Sequence, residues 1–258
     1  MTQTFWHDYD WQLIHAPAQS PTMHMALDDV LTTEVSEGRR KPTLRVWEWA
    51  SSAVVIGRFQ SLRNEVDSTA AVRHGIEVVR RISGGGAMFI EPGNTITYSI
   101  YAPISMVEGM SIPQAYQLMD TWVIDALAVL GIRASYQPLN DITSPDGKIA
   151  GAAQARRGKA VLHHVTMAYD IDSSKMLDVL RIGREKLSDK GTISAAKRVD
   201  PLRSQTGLSR ETIIERMIET FRLKYRLTED QLTPDELDRA RKLAVDKFAS
   251  EAWTNVLP

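Results

Sequence analysis

Three consecutive glycines, Gly84, Gly85 and Gly86, separate a short β-branched run, Gly75-Ile-Glu-Val-Val-Arg80, from an alternating one, Thr95-Ile-Thr-Tyr-Ser-Ile-Tyr101. Runs of that kind read as strands, so Ser83 to Gly86 is expected to form a tight loop between them. Glycine reaches backbone angles closed to other residues and leaves main-chain amides uncovered, which suits close approach to a phosphate or carboxylate. Arg80 and Arg81 precede the loop as fixed positive charges. Neighbouring side chains on a strand point to opposite faces, so one of the two is expected to reach a ligand. A triple glycine alone is more often a hairpin turn or bulge. No Gly-Lys-Ser/Thr follows, which excludes the P-loop, and a strand follows where the dinucleotide fingerprint needs a helix.

At 258 residues with 43% hydrophobic side chains, the chain can bury a substantial core. Its 31 basic and 32 acidic residues leave no global surplus for nucleic acid, so anion binding has to be local. The absence of cysteine removes disulfides, thiolate zinc sites and cysteine nucleophiles together. Met1 to Asp10 lacks the basic-then-apolar pattern of a signal peptide, and no apolar run approaches the ~20 residues of a membrane span. A cytoplasmic protein with no membrane partner is expected.

In chain order, Trp11 to His15 reads as a strand and Ser20 to Glu37 as a helix. Met23, Ala26, Leu27, Val30, Leu31 and Glu34 share one face of that helix, Ser20 caps it, and Pro21 opens its first turn. Leu44 to Trp49 and Ala53 to Gly57 read as strands, and Gly57-Arg58-Phe59-Gln60 leaves the second as a loop. Pro113 to Leu130 carries the wide apolar stripe of a helix laid on a sheet. Arg133 to Gln137 is expected as a strand, and Lys148 to Gln154 as a strand of small residues with room beside it for a ligand. The turn signal Asp146-Gly147 sets Asn140 and Asp141 opposite Lys148 to Gly151, bringing amide, carboxylate and ammonium together. Ala160 to Asp170 reads as a long central strand, in which the adjacent His163 and His164 face opposite sides and cannot share a metal. Ser174 to Leu180, Glu211 to Tyr225 and Pro234 to Phe248 read as helices, the last opened by Thr233-Pro-Asp-Glu236. The polar, basic stretch Lys186 to Arg203 reads as a loop near a site mouth or a solvated surface. With no repeat or low-complexity linker, one domain over 1–258 is expected, its C-terminal segment from about residue 205 helical.

Four ordered blocks resemble the catalytic domain of the lipoate protein ligase family, within the wider group of biotin protein ligases and octanoyltransferases. They are Leu44-Arg-Val-Trp-Glu-Trp49 with Val55-Ile-Gly-Arg-Phe-Gln60; Arg80 to Ala87 with Gly93-Asn94; Asn140-Asp-Ile142 with Asp146 to Gln154; and Leu162-His-His-Val-Thr166. Phe248 to Trp253 is similar to the family's terminal segment. The resemblance implies an α/β fold, a mixed β-sheet flanked by helices as in the biotin/lipoate ligase catalytic domain. It implies that lipoate is activated with ATP and Mg2+ to lipoyl-adenylate, and that the acyl group then passes to a lysine of a lipoyl carrier domain.

By that resemblance Lys148 is the catalytic residue, contacting the α-phosphate and acyl carbonyl. Arg80, Arg81, Ser83, Gly84, Gly85, Gly86, Ala87, Asn94, Gly151, His163 and His164 line the substrate site. Asn140 and Asp141 hold nucleotide phosphate, with Asp141 the implied magnesium ligand. An apolar slot for the dithiolane is expected from Val79, Ile82 and Ala150 to Ala153. The chain departs from the family at Ile90 and Glu91, where a His-Asp pair is usual, at the single Lys148 where two basic residues are common, and at Val165 in place of glycine. No accessory domain is expected after the catalytic blocks, which points to a separate small accessory subunit as an expected partner. Two further functions fit the same blocks: an ATP-independent octanoyl or lipoyl acyltransferase, and a non-catalytic lipoate-binding protein. Without a Gly-Arg-Gly-Arg loop, a biotin ligase is the weaker match.

Overall fold

The computed structural model describes residues 6–181 and 199–258. Lys186, Lys190, Lys197 and Arg198 of the basic stretch lie outside the described residues. The organising strands are β6 (Thr95–Pro103) and β10 (Ala160–Ala168), whose residues are buried on both faces almost end to end. Strands of that kind belong in the middle of a sheet covered on both sides. They pair antiparallel in an eight-stranded sheet of order β11-β1-β2-β6-β10-β9-β8-β7. Its other members are β1 (Trp11–His15), β2 (Thr43–Trp47), β7 (Ser135–Gln137), β8 (Asp141–Thr143), β9 (Lys148–Arg157) and β11 (Leu227–Glu229). β1 runs parallel to both its neighbours, which makes the sheet mixed as expected.

One face is covered by the helix Ile112–Val129 and the helix Arg210–Lys224, closing a core around Trp11, Tyr98, Trp122 and Phe221. Trp122 and Phe221 meet edge to face at 5.2 Å, a favoured geometry for large buried rings. The first of these helices begins one residue before the expected Pro113. Ser111 accepts the Gln114 amide N–H, and the Gln114 side chain accepts that of Ser111, so a capping box sets the boundary.

The opposite face is covered by α1 (Pro21–Ser36), started by Ser20 as expected. Periodicity assigns it one apolar face, yet it is buried nearly all round, with His24, Asp28, Asp29, Thr32 and Glu34 inside. A second sheet of order β4-β3-β5 is the reason, because it and the C-terminal helices pack over the far side of α1. Its strands are β3 (Ala53–Ile56), β4 (Glu77–Arg80) and β5 (Met88–Ile90). β5 is too short to show alternation, so the single expected sheet becomes two. The expected helix Pro234 to Phe248 is an α-helix over Pro234–Leu243 that continues as a π turn over Ala244–Phe248. No helix among the described residues is long and apolar enough to cross a membrane.

Candidate functional site

The glycine loop leaves β4 and folds back over Arg81. The Arg81 side chain is buried and donates from all three of its nitrogens: Nε to Ser83 Oγ and the Gly84 carbonyl, one terminal nitrogen to the Val55 carbonyl, and the other to the carbonyls of Gly84 and Gly86 at 2.6 and 2.9 Å. In a trans peptide the N–H points opposite to the C=O. Drawing the Gly84 and Gly86 carbonyls inward therefore turns the amides of Gly85 and Ala87 outward. The Ser83 carbonyl is likewise taken by the Arg58 amide at 2.8 Å, which turns the Gly84 amide away. Burial lowers Arg81 to about 10, so it stays charged at neutral pH. No carboxylate among the described residues pairs with it. The loop thus presents outward dipoles above a cation that no carboxylate touches, the arrangement of an anion site.

Two glycines make this shape possible. Gly85 adopts φ of 91°, in the left-handed region. A Cβ on Gly57 would lie 2.1 Å from the Gly85 carbonyl oxygen, so the turn after β3 has to be bare where the loop crosses it.

Ser83 and His164 tie the loop to the large sheet. Ser83 Oγ lies 2.6 Å from His164 Nε2, and His164 Nδ1 lies 2.7 Å from Asp28 Oδ2 on α1. Burial lowers the His164 pKa and Asp28 only partly offsets this, leaving a neutral ring at neutral pH. A neutral ring with Nδ1–H donating to Asp28 accepts the Ser83 hydroxyl at Nε2. Asp28 also accepts from Tyr101 at 2.5 Å, Ser99 at 3.0 Å and Arg45 at 3.3 Å. Local patterning gives no sign of this role, since Asp28 reads there as one more polar residue of a helix.

On the far side of the loop, the Lys148 ammonium lies 2.6 Å from Asp141 Oδ1, both side chains partly exposed. The expected hairpin holds: Asp141 stands opposite Gly151 and Ile142 opposite Ala150. Gly151 leaves the space the lysine uses, since a Cβ there would sit 3.3 Å from Lys148 Nζ. Asn140 spends its side-chain amide on the Ala152 carbonyl at 2.6 Å, bracing the hairpin. A cavity of about 180 Å³ opens between Ala87 and Lys148, with Gly151 and Thr166 on the sheet side and Met88, Phe89, Ile171, Met176 and Leu180 as its apolar wall.

Four expected site residues point elsewhere. Arg80 turns to the opposite face from Arg81 and donates to the carbonyls of Gly57, Gln60, Thr254 and Leu257. His163 faces the other side of the large sheet, fully buried against Asp120 at 2.7 Å. Asn94 donates to Glu91, and its carbonyl accepts from Tyr169 and Asp170. Val79 packs into the core around α1, so the apolar wall of the cavity comes instead from β5 and the helix Ser173–Val179 with its flanks. Glu91, one of the departures from the family pattern, pairs with Lys175 at 2.5 Å and fastens that helix to β5.

The sequence profile of the lipoyl protein ligase A/B catalytic domain matches residues 20–222. Lipoate-protein ligase A subunit 1 of Thermoplasma acidophilum is 31% identical, over 93% of this chain and 94% of its own length. An octanoyltransferase LipM of an Exiguobacterium species is 29% identical, over 98% and 99%. Among solved structures, a bipartite lipoate protein ligase from T. acidophilum, studied together with its E2 lipoyl domain, superposes with a TM-score of 0.84 at 30% identity, covering 98% of each chain. A lipoate-protein ligase A bound with ATP superposes with a TM-score of 0.83 at 27% identity, covering 96% of this chain and all of that one.

Proposed function

The chain belongs to the lipoyl protein ligase A/B catalytic-domain family, and from that premise we propose that it works as an ATP-dependent lipoate protein ligase or its catalytic subunit. A lipoate carboxylate oxygen attacks the α-phosphorus of ATP and pyrophosphate leaves. The neutral ε-amine of a lysine on a lipoyl carrier domain then attacks the acyl carbonyl, an amide forms and AMP leaves. The observation that carries this reading is the glycine loop with outward amides above the unpaired Arg81, which runs into Ala87 at the wall of the cavity that Lys148 also lines.

An acyl-adenylate has its phosphate between the acyl chain and the nucleoside. With the phosphate at Lys148 and the outward amides, the nucleoside takes the apolar cavity and the acyl carboxyl lies toward the loop. Lys148 stabilises the negative charge that builds on phosphate and carbonyl oxygens in both steps. Asp141 holds that ammonium in place and fits Mg2+ as well, because a hydrated magnesium ion takes most of its ligands from phosphates and water and needs one or two carboxylates. No group of three ligating side chains among the described residues forms a closed protein cage for a metal. The ion supplies charge neutralisation on the phosphates.

The relative named as a subunit 1 supports a two-component arrangement, in which a small accessory subunit assists adenylate formation. The LipM relative favours a second reading, acyl transfer without ATP, although this chain has no cysteine to serve as nucleophile. The deciding experiment is the intact mass of an unmodified E2 lipoyl domain after incubation with this chain, lipoate, ATP and magnesium, in parallel with preformed lipoyl-adenylate. A gain of one lipoyl group in both reactions is expected of a complete ligase, and in the second alone of a catalytic subunit. No gain in either, with transfer from an octanoylated carrier, overturns the ligase reading.

A further inference from the structure

The turn that receives the glycine loop has an outer side that the acylation chemistry does not use. Phe59 stands at its apex with 77% of its surface exposed, exceeded among the large apolar residues described only by Val72 and Leu223. It lies at the rim of the site, since a Cβ on Gly84 would touch the Phe59 ring at 3.8 Å. Arg58 stacks on Trp253 at 4.5 Å and lies 5.9 Å from the Phe59 ring, so the cation is held in place by aromatic faces. Neither Arg58 nor Arg63 of the following helical turn, Leu62–Glu65, pairs with a carboxylate among the described residues, and the same holds for the buried Arg80 and Arg81. Arg58 is close enough to Arg80 to lower its pKa further, after burial. This corner therefore gathers the guanidinium groups of Arg58, Arg63, Arg80 and Arg81 against the one acid of the same turn, Glu65, in a chain whose formal net charge is −1.

We propose that Phe59 and Arg58 form the contact on which an acidic carrier domain rests while its lysine enters the site. The inference rests on the carrier-acylation reading above. The acceptor amine has to arrive beside the glycine loop, so the carrier's surface has to lie against the loop's rim, where Phe59 projects. An exposed aromatic beside an anchored guanidinium is the composition of an interface centre, and a corner richer in cations than in acids selects a partner of opposite charge. Phe59 supplies the apolar contact and Arg58 the salt-sensitive one.

The test is a titration of the wild-type chain, Phe59→Ala and Arg58→Gln with an unmodified E2 lipoyl domain by isothermal calorimetry at two salt concentrations, alongside lipoate-dependent ATP–pyrophosphate exchange by the same proteins. Phe59→Ala is expected to weaken carrier binding at least tenfold. Arg58→Gln is expected to weaken it several-fold and to flatten its dependence on salt, and exchange should stay within twofold of wild type in both. Binding within twofold of wild type for both variants, or no saturable binding by the wild type, overturns the proposal. Absence in the wild type of both exchange and transfer from preformed lipoyl-adenylate, with Phe59-dependent binding intact, counts against the ligase reading and leaves the docking contact supported.

Discussion

Helix α1 and the glycine loop both bury charge, and they treat it in opposite ways. On α1 each buried carboxylate has cationic partners: Asp28 meets Arg45, Asp29 meets Lys247 and Arg157, and Glu34 meets Arg39 and Arg239. In the loop region two buried guanidinium groups meet neutral acceptors, main-chain carbonyls and the Ser83 hydroxyl. A carbonyl satisfies the hydrogen bond and leaves the charge. Burying a charge without a counter-charge is costly, so a fold that keeps one is poised to receive an anion. Paired burial therefore holds the frame, while at Arg81 unpaired burial lies beneath the site and at Arg80 it braces the loop from behind.

The sharpest test of that contrast separates chemistry from folding. Lys148→Ala is expected to lower acyl transfer by about a thousandfold while leaving the melting temperature unchanged, because the side chain is half exposed; near-normal turnover would remove its assigned role. Asp28→Asn works the other way and is expected to cost about 3 kcal/mol of stability, read by denaturant unfolding, since Arg45 loses its buried counter-charge and the neutral His164 loses the carboxylate that accepts its Nδ1–H. A cost below about 0.5 kcal/mol would mean that α1 is not held by its pairs.

Arg81→Gln removes the loop's charge and keeps an amide NH2 as a neutral donor to the loop carbonyls. Inorganic pyrophosphate is expected to raise the melting temperature of the wild type by mass action, and this rise should fall by more than half in the variant. An equal rise in both would show that the loop's amides bind anions without the cation beneath. The smallest effect is expected at Glu34, where the hydrogen bond from Arg39, ahead of Arg239, lowers the pKa from 4.5 to about 2. A folded-state pKa below the unfolded value contributes stability above the unfolded pKa and loses it as pH falls through the folded one. The Tm gap between wild type and Glu34→Gln should thus be full above about pH 5 and close between pH 4.5 and about 2. A gap independent of pH would assign Glu34 a packing role only.

Much of the frame is legible in the sequence because its signals are local. Ser20 and Thr233 cap the helices that follow them, and Asp146-Gly147 sets the hairpin that brings Asp141 to Lys148. Strand alternation correctly parts Arg80 from Arg81 and His163 from His164. It cannot say which member of each pair faces the loop, because that depends on what packs on each side of the sheet. Gly57 and Asp28 escape for the same reason. One is required by a carbonyl that arrives from Gly85, and the other by a histidine 136 residues further along the chain. The second sheet is hidden in a three-residue strand, whose partners are set by the glycine loop before it.

The bonds of Arg80 to the Thr254 carbonyl bridge 174 positions of sequence. A chain emerging from the ribosome makes the glycine loop long before it makes that partner, so the strand carrying the loop stays incompletely tethered until the last helical turn, Glu251–Thr254, has been synthesised. Contacts of such separation form late, after the entropy of closing a long segment has been overcome. Maturation of the site therefore waits for that turn, and a nascent chain stalled before residue 250 should carry its loop sequence without its loop geometry.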